Sequence, residues 1–387
     1  MRIGIDIRTV AASAGQQRYL WRLATWLADR GETVEVLSLK SSAEGVVPHP
    51  NRTVHDLRGL SGRALRTQVR ALGLDVFFAN PERARAYAGL PMHVLRPGYG
   101  TRQGVQNLRS IRNPLLRASY ALARQTPWEI SKRRTERAWY RQRSPVPHVV
   151  AISEVMAQAI QADYGIAERQ IHRIHNGVDL AEFSPERRRA DRDRERARFG
   201  ISADAFCVLF VGHNFRRKGL PELISALSRL GPDAENLVLL VAGRGTGEAQ
   251  RRHLRSWVER AELVEQVVVA GDVVPVTRAY AAADALVFPS WHDAFGFVVL
   301  EAMACGLPVV TTRWAGAHEV VRPGEDGFVL EAPDDLEHLC EALRVLQDPR
   351  VCARMGIAAR QQAEQFGEAA NFAAVHRVIR TAGQSLE

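Results

Sequence analysis

The sequence predicts an α/β protein built from two Rossmann-like domains facing a central cleft. Three observations predict it. Short β-branched runs alternate with helical patterns from end to end, the signature of open parallel sheets. The runs form two series, separated by a charged stretch with almost no apolar residue. The chain's 387 residues, against roughly 100–200 per domain, supply two well-sized cores. A hydrophobic fraction of 46% and a charged fraction of 25% are globular values and argue against a disordered tail or a fibrous repeat.

Residues 3–7 read as a strand, 16–30 as an amphipathic helix stopped by Gly31, and 33–39 as the next strand, a βαβ opening. Residues 74–79, 92–96 and 148–152 continue the series, with Ser153 as a helix N-cap. The second series runs through FCVLFVG from Phe206, LVLLVAG from Leu237, QVVVAG from Gln266, ALVFP from Ala285 and LPVVTT from Leu307. Between them SPERRRADRDRERARFG, residues 184–200, reads as a linker or exposed helix at the domain boundary. The expected division is an amino-terminal domain over 1–185, a charged linker over 186–204, a second domain over 205–365, and a carboxyl-terminal helix over 366–387 returning to the first domain. Ligands of such sheets bind beyond the carboxyl ends of the strands, where the strand order reverses.

Lys and Arg exceed Asp and Glu by 52 to 43, a net charge of +9. Nucleic acid, an anionic membrane face and a phosphorylated substrate are the partners that such an excess fits. Asp6 and Arg8 occupy positions where a signal peptide needs its apolar centre, and no run approaches the ~18–20 apolar residues of a spanning helix. Cys207, Cys305, Cys340 and Cys352 lie far apart without metal-ligand spacing. They read as reduced thiols of a cytoplasmic protein, with no disulfide framework and no metal site.

Three loops of the second domain stand out. In Val211-Gly212-His213-Asn214-Phe215-Arg216-Arg217-Lys218-Gly219 a buried strand ends in glycine and is followed by three cations and a second glycine, which opens a helix. Cations, glycine and a helix N-terminus together describe a phosphate site; a solvated basic turn is the simpler reading of the cations alone. In PSWHDAFGFVVLEAMACG, Glu301 falls within a mostly apolar and therefore buried helix, Gly296 lets a ligand approach the helix end, and Asp293 precedes it by one turn. A buried acid requires a partner: either both carboxylates reach a polyhydroxylated ligand, or Glu301 sits in an internal salt bridge and Asp293 caps the helix. The third loop, Val241-Ala242-Gly243-Arg244-Gly245-Thr246-Gly247, lacks the full dinucleotide fingerprint and needs no function as a turn.

In order and spelling these motifs resemble the retaining glycosyltransferases of the GT-B fold, the family 4 enzymes with glutamate, seven residues, glutamate in the donor site. Gly15 in SAGQQRYLWRLATWLADRG, HNGVDLAEFSPE from His175, FRRKG, DAFGFVVLEAMACGLPVVTT and WAGAHEVV carry the likeness over most of the chain. Within the family the likeness leans to the lipopolysaccharide core enzymes, which share the Arg-Lys-Gly spelling and an Arg-rich helical insert. The resemblance implies transfer of a hexose from a nucleotide diphosphate sugar, a UDP-sugar foremost, to a glycan or glycolipid acceptor with retained configuration. No cofactor or metal is expected, because cations and a helix end supply the positive charge.

It also implies roles. Arg217, Lys218 and Asp293 would be catalytic. Arg217 and Lys218 would hold the diphosphate, Asp293 the hydroxyls of the sugar, Glu301 the ribose, Gly296 and Phe297 backbone contacts, and Val273 the base, with Gly15 in the glycine loop of the donor site. Three positions depart from the pattern. Asp293 replaces a glutamate and is one methylene shorter, and His213 stands where an arginine is usual. A histidine near the sugar has no clean counterpart: Thr101 and Arg102 are offered by GYGTRQGV, and His93 lies earlier, in a strand.

Residues 102–143 are heavily basic, with Glu129 and Glu136 as the acids. Arg102, Lys132, Arg133, Arg134 and Arg137, interleaved with Trp128, Trp139 and Tyr140, suit an anionic membrane surface or a phosphorylated lipid-linked acceptor such as lipopolysaccharide core. A solvated face with aromatics turned to the core would look the same. No nucleic acid is expected, since no recognition motif accompanies the charge. The expected location is the cytoplasmic face of the inner membrane. A sugar-nucleotide epimerase of the same fold, a phosphorylase and a non-catalytic nucleotide-sugar or nucleic-acid binder are the other readings.

Overall fold

A computed structural model describes residues 1–7, 10, 15–39, 46–79, 87, 90, 93–97, 118, 122, 130, 134, 137, 140, 147–243, 245 and 247–384. These fall into two compact units, one from 1–97, 118–175 and 369–384, the other from 176–368. Each unit is built on a parallel sheet, so the α/β class with two Rossmann-like domains is found.

In the first unit the described strands are β1 (Arg2–Asp6), β2 (Thr33–Ser38), β3 (Arg52–Asp56), β4 (Val76–Ala79), β5 (Val94–Leu95), β6 (His148–Ala151) and β7 (Ile171–Arg173), in the order β3-β2-β1-β4-β5-β6-β7. β1 from Ile3 on and all of β4 are buried, because helices cover both faces of a parallel sheet. The outer strands β3 and β7 escape the sequence reading: RTVHD is half-exposed and mostly polar, and IHR is three residues long, so neither shows an apolar run. Helix α1 (Gly15–Asp29) follows β1, α2 (Gly62–Ala71) follows β3, and α3 (Glu154–Tyr164) follows β6. As expected, Ser153 caps α3, its Oγ accepting from the Met156 N–H, and Gly165 closes it at φ 67°.

The second unit has β8 (Phe206–Val211), β9 (Leu237–Ala242), β10 (Val267–Gly271), β11 (Ala285–Phe288), β12 (Val309–Thr312) and β13 (Gly327–Leu330), ordered β10-β9-β8-β11-β12-β13. The strand order reverses between β8 and β11, so the loops after these two strands flank the switch point. β13 is a short edge strand opened by Gly327, where a Cβ would stand 2.3 Å from the Val309 carbonyl.

The segment expected as a linker or exposed helix is α4 (Pro185–Phe199), with Ser184 as N-cap, Pro185 in its first turn and Gly200 at φ 68° as C-cap. It belongs to the second unit and is not fully exposed: Glu195 and Arg196 are buried. The correction has a physical cause. Arg196 donates to the carbonyls of Ala282, Ser202 and Ala205 and pairs with Asp284, while Glu195 pairs with Arg278 at 3.2 Å. Buried charges on a polar helix are tolerated because each is partnered.

The remaining helices of this unit are α5 (Leu220–Leu230), α6 (Glu248–Arg260), α7 (Thr277–Ala282), α8 (Phe297–Ala304), α9 (Leu336–Leu346) and α10 (Pro349–Ala363). α5 and α9 share a core with β8 and β9 through Leu223, Leu227, Leu339 and Leu343.

The last helix, α11 (Glu368–Gln384), packs in the first unit, with Phe372 edge-on to Tyr19 and Trp26. Asn371 accepts from the Tyr19 hydroxyl at 2.7 Å, and His376 pairs with Glu32, which also holds the chain's amino group at 3.0 Å. Among the described residues no helix is long and apolar enough to cross a membrane.

Candidate active site

The sequence of the 212–219 loop dictates its shape. Asn214 accepts the Arg217 N–H on its side chain at 3.2 Å and the Lys218 N–H on its carbonyl at 2.9 Å, a tight turn that sends both cations the same way. Gly219 has φ 80°, and a Cβ there would fall 1.9 Å from the Pro289 carbonyl, so only glycine lets the loop meet the end of β11. The third glycine-rich loop has the structural task expected of it: a Cβ on Gly243 would stand 2.1 Å from the Gly212 carbonyl. That contact presses the ends of β8 and β9 together.

The loops after β8 and β11 are stitched to each other. The Arg217 carbonyl accepts from the Trp291 N–H at 2.9 Å and from Ser290 Oγ at 3.2 Å, and the Arg217 guanidinium donates to the His292 carbonyl at 2.9 Å. Lys218 forms an ion pair with Asp293 and lies 4.7 Å from the centre of the Phe288 ring. Asp293 is further fixed by accepting the Phe295 N–H at 3.2 Å. It therefore neither caps α8 nor points free: both its oxygens are engaged. Burial, with the neighbouring Arg217 charge, pushes the Lys218 ammonium well below its ordinary range. An anion arriving beside Lys218 would favour its charged form.

Gly296 is the N-cap of α8 at φ 96°, with no side chain to cap the helix, and a Cβ would press on the Phe288 ring at 3.1 Å. Phe297 is half-buried as the first residue of α8. Glu301 lies just over one turn further in, buried, and its Oε2 accepts from the Tyr280 hydroxyl at 2.8 Å. Val273, half-buried, follows β10 at the same carboxyl edge of the sheet.

The structure thus gathers Arg217, Lys218, Asp293, Gly296, Phe297 and Glu301 on the two loops and one helix at the switch point. Gly15 opens α1 in the first unit at φ 65°. His93 is buried and accepts the Phe77 N–H on Nδ1 at 2.9 Å, a structural role, and burial lowers its pKa. His213 is mostly exposed and 3.5 Å from Asp272. Of the basic segment, Arg134 and Arg137 are helical and exposed, and Tyr140 is buried against Tyr164. Thr101, Arg102, Trp128, Lys132, Arg133 and Trp139 lie outside the described residues.

Sequence reasoning missed Tyr280, which fixes Glu301, and the stitch of Ser290 and Thr312, whose Oγ1 donates to the Ser290 carbonyl at 2.7 Å. No local pattern marks them.

Cations and a helix N-terminus meet two carboxylates at this edge: the first can hold a phosphorylated group, the second can accept from sugar hydroxyls. Comparison with known proteins points the same way. A D-inositol 3-phosphate glycosyltransferase of Catenulispora acidiphila is 36% identical over 57% of this chain, which spans 53% of that relative, about half its length. The D-inositol 3-phosphate glycosyltransferase of Arthrobacter sp. (strain FB24) is 29% identical over 92% of this chain and 87% of its own. Among solved structures, WaaG, a glycosyltransferase involved in lipopolysaccharide biosynthesis, superposes with a TM-score of 0.78 at 20% identity, covering 97% of this chain and 99% of its own. Anabaena Alr3699/HepE in complex with UDP-glucose does so at 0.72 and 20% identity, covering 100% and 99%. These two likenesses concern the fold. Residues 191–362, in the second unit, match the family model of glycosyl transferases group 1, and residues 13–182 match that of glycosyltransferase family 4.

Proposed function

We propose that the protein is a glycosyltransferase that moves a hexose from a nucleotide diphosphate sugar to an acceptor hydroxyl with retained anomeric configuration. The observation that carries this reading is the convergence of Arg217, Lys218, the α8 N-terminus and Glu301 at the switch point of a group 1 glycosyltransferase domain. Arg217 and Lys218 bind the diphosphate and stabilise the charge that builds on it as the glycosidic bond breaks, in place of a metal ion. The donor phosphate takes over Lys218 from Asp293, whose released oxygen accepts from the sugar. Glu301, held by Tyr280, receives the ribose hydroxyls, and Val273 borders the base.

The acceptor in this reading carries phosphate. An inositol phosphate stands first, by analogy with the relatives' names, and a lipopolysaccharide-core sugar second. The exposed Arg134 and Arg137, with Ile130 and Leu122 also exposed, support docking of the protein on the cytoplasmic face of an anionic membrane during transfer.

Thermal denaturation of the pure protein with UDP-, GDP- and ADP-sugars tests the donor assignment, since a ligand of the folded state raises the midpoint with its concentration. One nucleotide series, UDP first, is expected to raise it, and Glu301→Ala to reduce the rise. No shift with any nucleotide sugar overturns the reading.

A further inference from the structure

The second unit has a cavity of about 730 Å³ at the end of the sheet opposite Lys218. Phe206, the first residue of β8, Asp284, which precedes β11, and Pro308, which precedes β12, line it. In a parallel sheet the amino ends of all strands share one edge, so this cavity and the donor loops lie at opposite edges. Its volume is that of a small-molecule site.

Its wall is unbalanced in charge. Arg188 and Arg192, one helical turn apart on α4, line the cavity and converge, with the buried Arg196 behind them, on the end of α7 and on Asp284. Arg192 and Arg196 pair with that carboxylate, at 2.6 and 3.2 Å. Arg188 donates to the Ala283 carbonyl at 3.0 Å, but its buried Nε has no partner and it forms no ion pair among the described residues. The arginines that line the cavity, Arg188, Arg189, Arg192 and Arg360, outnumber its acids, Glu186, Asp204 and Asp284. Nearby, the exposed Arg189 pairs with Glu186 at 3.5 Å, and Asp204 is engaged by Ser202. Beside these polar groups the wall is apolar, with Pro349 and Ala353, and with Ile357, a large aliphatic residue 64% exposed.

We infer that this cavity binds a phosphorylated small organic molecule, its phosphate held by Arg188 and Arg189 and its carbon skeleton against Phe206, Pro349 and Ile357. A phosphate monoester carries about −1.5 to −2 at neutral pH and is drawn to the arginine excess of this wall. A planar guanidinium suits the oxygens of such a group. Inorganic phosphate fills only a small part of the space and leaves Ile357 wet.

Calorimetric titration of the full chain with phenyl phosphate, a probe without nucleotide or sugar, tests this. One saturable site is expected, at least about tenfold weaker in Arg188→Gln, unchanged in Lys218→Ala, and at least about tenfold tighter than for inorganic phosphate. Absence of saturable binding, equal affinity in Arg188→Gln, or loss of binding in Lys218→Ala overturns the inference, as does equal affinity for inorganic phosphate. Should circular dichroism show that Arg188→Gln does not fold, Arg189→Gln and the cavity-filling Ala353→Trp take its place. Undiminished binding in both would be the refutation.

Discussion

Two arginine-rich segments of the second unit, 186–196 and 215–219, look alike in sequence and behave in opposite ways. In α4 the guanidinium groups of Arg192 and Arg196 are consumed by the Ala282, Ala283, Ser202 and Ala205 carbonyls and by Asp284. Cations there complete the end of α7 and fasten one element to another. In the 215–219 loop Arg217 donates to the His292 carbonyl and Lys218 pairs with Asp293, at the carboxyl edge of the sheet, where ligands of such sheets bind. The difference teaches that the role of a cation follows from what faces it. A helix end with unpaired carbonyls takes a cation permanently, whereas an exchangeable carboxylate keeps one in reserve.

The largest expected effect breaks the fastening half of the comparison. Arg196→Ala removes a buried cation from four acceptors, and a loss of about 4 kcal/mol in urea unfolding is expected. A loss under about 1 kcal/mol would put Arg196 with the exposed arginines of α4.

Next, Lys218→Ala should leave the unfolding midpoint close to that of the parent and cost about 3 kcal/mol in transition-state stabilisation, some hundredfold or more in kcat/KM for transfer. Turnover near the parent's would remove Lys218 from the chemistry and make the two segments alike.

A smaller effect concerns the surroundings of the 215–219 loop. Glu222, in the first turn of α5, is pushed up to about 7 by burial, with the Asp334 charge adding to the rise and Arg216 and a hydrogen bond from Trp291 opposing it. Below its unfolded value near 4.5 the carboxyl is protonated in both states, and its full contribution to stability is present. That contribution falls as pH rises from there towards about 7, because the unfolded chain releases the proton first. Glu222→Gln, neutral throughout, should therefore be more stable than the parent at pH 8 by about 2 kcal/mol and flatten the profile between those pH values. Parallel profiles for the two proteins would show that Glu222 ionises normally.

Much of the fold was legible because parallel strands buried on both faces appear as apolar runs, as FCVLFV and LVLLVA do. The edge strands β3, β7 and β13 were not, since half-exposed or very short strands leave no such run. The site was legible where chemistry and backbone geometry coincide in a few consecutive residues, as in Arg217-Lys218-Gly219 and Gly296. It was illegible where a contact joins distant positions: Tyr280 to Glu301, Thr312 to Ser290, Arg196 to Asp284.

By itself the sequence determined the class of fold and most of the strands of each series, because apolar periodicity is a local demand. Only the tertiary structure decided which charges are fastened and which are in reserve. Two guanidinium groups differ little in sequence, and their roles are set by carbonyls and carboxylates that folding brings from ninety residues away.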